Sequence, residues 1–139
     1  MKRRSRGNTQ VEFILVAVQL MLVLFAVLEF CRMALVYNNV ANAARVGVRL
    51  AIVRGSANVS PVVPSGPGNT IDIENKVKDF AKSGELDANR LLITVNYPDA
   101  TGNAPGSHVQ VTVVYPYDPF TFLPLRVRLG TTTQGVITF

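Results

Sequence analysis

The sequence predicts an α+β fold: a long N-terminal helix that carries a small head, in which one helix packs on an antiparallel sheet. Three observations carry this reading. A run of twenty mostly apolar residues, 11–30, follows a basic start and continues without proline or a turn pair into an amphipathic stretch. A second helical pattern begins near Asn69. Beyond it, two segments rich in β-branched residues alternate with the two-residue period of strands. The 139 residues have room for one small domain and this one additional element.

The basic start explains the charge. Formal net charge is +5, but Lys2, Arg3, Arg4 and Arg6 all precede residue 7, and the rest of the chain holds ten basic against nine acidic residues. The charge therefore marks the N-terminus and is no sign of nucleic-acid binding. One cysteine, one histidine and no tryptophan exclude a disulfide framework and a Cys/His zinc cage, which needs about four ligands. No cofactor is expected.

Residues 11–30 read VEFILVAVQLMLVLFAVLEF. Twenty helical residues rise about 30 Å, the hydrocarbon thickness of a bilayer. The wholly uncharged part, 13–28, spans only about 24 Å, so Glu12 and Glu29 must lie near the two edges. A buried helix of a soluble protein is the alternative, but the remaining chain is too small to cover it on every side. Four Lys/Arg stand before the span and Arg32 alone stands just after it, so the positive-inside rule places the N-terminus in the cytoplasm and the head across the membrane. No small-residue pair follows the apolar run, as a cleavable secretory signal would require.

Two residues do not fit a plain anchor. Glu12 puts a carboxylate at the start of the apolar run, and such a group is a functional candidate whose partner must be named. Gly7 lies five residues earlier. A cut after Gly7 would make Asn8 the first residue and give it an α-amine, protonated near neutral pH, about one turn from Glu12 or within reach of it on a neighbouring chain. A chance glutamate near the start of an anchor is the plainer reading.

Past Arg32 the helical pattern holds to Gly55. Val36, Val40, Ala43, Gly47, Leu50 and Ala51 share one face, and Asn38, Asn42, Arg45 and Arg49 the other. Ala43, Gly47 and Ala51 recur every four residues, a spacing that admits a second backbone closely. That stripe either carries the chain's own head or meets another helix. Glu29 and Arg32 can pair on the helix surface or simply mark the membrane exit.

The head begins with a Pro/Gly-rich linker, 55–69. Asn69 or Thr70 caps a helix with Ile73, Val77, Phe80 and Ala81 on one face, which Ser83-Gly84 ends. Residues 92–97 and 109–115 read as strands, joined by a polar loop over 98–107. Residues 125–129 and 135–139 read as weaker third and fourth strands, limited by Pro124 and Gly130. In the loop, Asp99, Thr101 and Asn103 offer oxygens in the manner of a calcium site, but EF-hand spacing is absent and an ordinary turn fits better. His108, the sole imidazole, has no cysteine nucleophile nearby and reads as a turn residue. Tyr97, Tyr115 and Tyr117 close the core of a sheet without tryptophan or face a protein partner. Phe120, Phe122 and Leu123 lie in a run that is either buried under the sheet or a contact surface.

Taken together, Gly7, then Gln10-Val11-Glu12-Phe13, then Glu29-Phe30-x-Arg32, then Ala43-Ala44-Arg45-Val46-Gly47-Val48-Arg49 resemble the TadE-like family of the tight-adherence (Tad or Flp) pilus system, with the class III signal of type IV pilins and pseudopilins. Val18 stands where many relatives carry proline, and Cys31 where glycine is common. The resemblance covers residues 10–53 and implies a non-enzymatic minor pilin or pseudopilin. Its basic leader, 1–7, would be removed by a prepilin peptidase between Gly7 and Asn8. Glu12 and Phe13 would set assembly register in a helix over 8–54, with the span at about 11–30 and an amphipathic extension at 32–54. The head, 55–139, would lie in the periplasm or on the pilus. Implied partners are membrane lipid, TadF-like and major Flp-type pilins and, indirectly, an inner-membrane platform protein and an assembly ATPase. An uncleaved single-pass protein whose head binds a cell-envelope partner is the competing reading.

Overall fold

The first helix, α1, runs unbroken over Arg6–Val53, 48 residues and about 72 Å long. The computed structural model describes residues 6–58, 64–119 and 126–138, with the backbone alone for 6–8. Residues 1–5 of the basic leader, and Phe120, Phe122, Leu123 and Phe139, lie outside the described residues. The absence of proline at Val18 leaves the backbone ladder of α1 intact through that position.

A second helix, α2, spans Ile71–Ser83 with Thr70 at its N-cap position. The Thr70 side chain makes no cap to a backbone N–H and shares a hydrogen bond with Glu74 instead, 2.7 Å from its Oε1. The helix ends where Ser83-Gly84 predicts, with Gly84 at the C-cap position. That glycine has φ −88°, while Glu85 takes the left-handed conformation at φ +60°. Glu85 N–H donates to Lys82 O and Leu86 N–H to Ala81 O, the two bonds of a Schellman ending with Glu85 in the position glycine usually fills. Gly84 is small for a different reason: a Cβ there would sit 3.1 Å from Asn39 Nδ2, which donates to Gly84 O across from α1.

A single 3₁₀ turn at Ala88–Arg90 leads into three antiparallel strands, β1 (Leu92–Asn96), β2 (His108–Tyr117) and β3 (Val127–Val136), in the order β1-β2-β3. The two expected weak strands at the C-terminal end are one. β3 pairs with β2 along its whole length, from Tyr117↔Val127 to His108↔Val136, and passes straight through Gly130. A glycine punctuates a strand only if nothing compensates its missing side chain, and here ten consecutive pairs and the β-branched Thr131, Thr132 and Thr133 do so. The outer face of the sheet is polar, with Thr112 and Thr132 hydroxyls 2.8 Å apart.

The core lies where the C-terminal half of α1 crosses both α2 and the inner face of the sheet. Val40, Ala43, Ala44, Val48 and Ala51 from α1 meet Ile73, Val77 and Ala81 from α2 and Val109, Val111 and Val113 from β2, all buried. Glycines permit the approach: a Cβ at Gly47 would lie 2.7 Å from Val77 Cγ2, and one at Gly135 would lie 2.7 Å from Val48 Cγ1. An Arg54–Asp72 ion pair joins the end of α1 to the start of α2.

Candidate functional surface: the exposed helix and its exit

The two halves of α1 have opposite surroundings. Its most apolar window has a mean hydropathy of 2.7 and no buried residue, whereas beyond Val36 one face is sealed under the head. Glu12 and Phe13 both lie on the exposed half, with Phe13 72% exposed beside Thr9, Gln10 and Ile14. So much exposed leucine, valine and phenylalanine on a helix long enough to cross a bilayer is stable in lipid and costly in water. The Gly7–Asn8 peptide falls in the first turn of α1, and nothing further is described of those two side chains.

The second feature is where the helix leaves its exposed half. Glu29 and Arg32 are three residues apart and so lie on one side of α1. Tyr117, at the end of β2 and only 3% exposed, is set against both. Its hydroxyl donates to Glu29 Oε1 at 2.5 Å, and the Arg32 guanidinium lies 5.5 Å from its ring centroid. Burial, then the hydrogen bond to Glu29 and its negative charge, push the Tyr117 phenol up to about 12, against a smaller opposing pull from Arg32. Next to this contact, Arg90 stacks on Tyr115 at 5.7 Å and pairs with Asp118 at 2.5 Å. Tyr117 therefore closes the head onto α1, while Tyr115 is held within the head by Arg90 of the 3₁₀ turn. Sequence reasoning read the E-x-x-R spacing as a surface pair or exit marker and missed its aromatic partner. The cue was the Tyr-Pro-Tyr run at the end of the best strand, but nothing in the sequence ties it to a helix 88 residues earlier.

Ala43, Gly47 and Ala51, the small-residue stripe, are buried by the chain's own α2 and sheet. Of the two uses left open for the stripe, carrying the head is the one seen.

The head's polar loop is engaged in hydrogen bonds within the head. Asp99 Oδ2 accepts from the His108 backbone N–H at 2.6 Å and lies 2.9 Å from its Nδ1, and these bonds hold the Asp99 carboxyl below the usual range. Thr101 bonds Ser107, and Asn103 donates to Ser65 O, so the three residues read as a calcium set each have a protein partner. Among the described residues no three His, Cys, Asp or Glu side chains gather as a metal site would need. Cys31 is exposed on α1, and Tyr97 has a buried hydroxyl without a hydrogen-bond partner among the described residues, its phenol pushed up by burial.

These features define a class, a single long apolar helix that fits a one-pass membrane segment and shares its C-terminal half with a small α+β head. Within that class, the family model described as TadE-like protein matches residues 7–49, from the start of α1 to Arg49. The match takes in Glu12-Phe13, Glu29-x-x-Arg32 and the A-A-R-x-G-x-R run, and stops short of the head. No curated protein and no solved structure matches the chain.

Proposed function

We propose that this protein is a non-enzymatic minor pilin or pseudopilin of a Tad-type pilus assembly and secretion system. A prepilin peptidase removes the basic leader after Gly7, and α1 then joins a pilus-related assembly with its head on the far side of the inner membrane. The observation that carries the reading is the single unbroken α1, lipid-like in its first half and sheathed by the head in its second, over the same residues that resemble the TadE-like family. Such a helix lets a subunit leave a bilayer for a filament without refolding, because the apolar half exchanges lipid for neighbouring helices while the head keeps its core. Glu12 supplies register: a carboxylate among apolar side chains needs a cation, and the new amine of Asn8 on an adjacent chain fixes one helix against the next.

Intact mass and N-terminal sequencing of the protein from cells that carry the peptidase test this reading. Asn8 is expected as the first residue. An intact Met1 or Lys2 terminus would overturn it in favour of an uncleaved membrane protein whose head binds an envelope partner.

A further inference from the structure

A groove of about 390 Å³ runs between α1 and the base of the head. Its helix wall carries Leu22, Phe25 and Phe30, exposed by 65%, 57% and 65%, and its head wall carries Tyr117, Pro119 and Val127. Leu22 lies eight residues before Phe30, about 12 Å along the axis. All of that length falls inside the segment read as membrane-spanning. The base of the head therefore reaches alongside α1 at depths that belong to lipid rather than to water.

We infer that the base of the head, Tyr117, Pro119 and Val127 with the flanking Arg126 and Arg128, is seated in the interface of the bilayer that holds α1. The occupant of the groove is lipid, for two reasons. The apolar lining is continuous with the lipid-facing surface of α1, so acyl chains reach it without crossing water. The rim is cationic: Arg126 and Arg128 are both exposed on either side of Val127, suited to lipid phosphates while the valine and proline meet the upper acyl chains. Tyr117 also gives the Glu29 carboxylate a hydrogen-bond donor at that depth. The head is thus a second, shallow membrane contact whose grip must be released when the protein leaves the bilayer.

The inference rests on α1 spanning the membrane, and one experiment separates the two. The chain has no tryptophan, so single-tryptophan variants report alone. The full-length protein is reconstituted in phosphatidylcholine–phosphatidylglycerol vesicles, with or without lipids brominated near the glycerol end of their chains, and, for Leu20→Trp at mid-span, near the methyl end. Leu20→Trp reports the span, Val127→Trp the base of the head, and Gln134→Trp a site about 23 Å further along β3. Pro119→Trp repeats the test on a different residue of the head wall if Val127→Trp misfolds. Bromolipid is expected to quench Val127→Trp by about twofold or more and to leave Gln134→Trp unchanged. Quenching at Leu20→Trp with none at Val127→Trp or Pro119→Trp would overturn the inference. If their fluorescence then changed on diluting protein into excess lipid, the groove would belong to a second copy of the chain. No quenching at Leu20→Trp would overturn the membrane span, and the inference with it.

Discussion

Replacing Gly47 by alanine sets two effects of known size against each other. In an exposed helix interior, glycine to alanine stabilises by about 1 kcal/mol, because the helix no longer orders the most flexible residue. At Gly47 the added methyl would lie 2.7 Å from Val77 Cγ2 and 3.2 Å from Val111 Cγ1. Both valines are fully buried and β-branched, so neither can swing aside, and relief requires α1 to move away from α2. Overpacking of this kind costs about 1–3 kcal/mol. The net expectation is destabilisation by about 1 kcal/mol, a fall in Tm of about 4–8 °C for a head of this size. The assay is thermal melting of the full chain in detergent, followed by near-ultraviolet circular dichroism of the tyrosines, since the apolar half of α1 keeps its far-ultraviolet helicity. Val77→Ala costs stability alone by opening a cavity, but combined with Gly47→Ala it should lose less than the sum of the two. A Tm for Gly47→Ala above that of the parent would refute the reasoning and return the stripe to the lipid or to another helix.

Glu85→Gly should raise stability by about 0.5–1 kcal/mol in the same melt, since it relieves a left-handed glutamate while preserving both terminal hydrogen bonds of α2. The phenol of Tyr117 is raised, so its neutral form is favoured by the fold. That stabilisation is complete below about pH 10 and is lost as pH climbs through about 12. Absorbance titration at 295 nm should show late tyrosine titration that Tyr117→Phe diminishes, Tyr97 being raised as well, and an unchanged curve for Tyr117→Phe would contradict the Glu29 contact. Tyr117→Phe should also cost about 1–3 kcal/mol, the range for removing one donor from a partly buried acceptor. Under the proposed function, Glu12→Gln is inserted and cut after Gly7 yet fails to co-purify with pilin partners or to support piliation, while Glu29→Gln is milder. Normal piliation by Glu12→Gln would leave that carboxylate as one merely tolerated near the headgroups.

Much of the architecture could be read from local pattern. The apolar run, the amphipathic continuation through Val40, Ala43 and Gly47, the start of α2 at Thr70 and the alternation of β2 are signals contained within a few turns or pairs. Failures came where the deciding partner is distant. Gly130 looks like a strand stop until β2 is seen to pair with it and with the residues on both sides. Gly84 ends α2 as its position implies, but the Asn39 side chain of α1 set against it lies 45 residues away in the chain. Ala44 and Val48 join the buried face because the sheet covers α1 over a wider arc than the small-residue stripe alone implies. The Tyr117–Glu29 contact joins the end of a strand to a helix with no local code for either.

α1 is both the anchor and the central strut of the head's core, and this bears on when the head can form. The side chains that complete the core arrive from opposite ends of the synthesis order: Val48 and Ile52 early, Gly135 and Ile137 late, with Thr138 N–H donating to Ile52 O. Under the proposed topology, in which the head crosses the membrane, the apolar face of α1 beyond Val36 has no sheet to cover it until the rest of the chain follows. The core cannot close until β3 has been made and lies on the same side as that face, and until then the nascent helix would stay open to chaperones or to premature pairing with a sister chain.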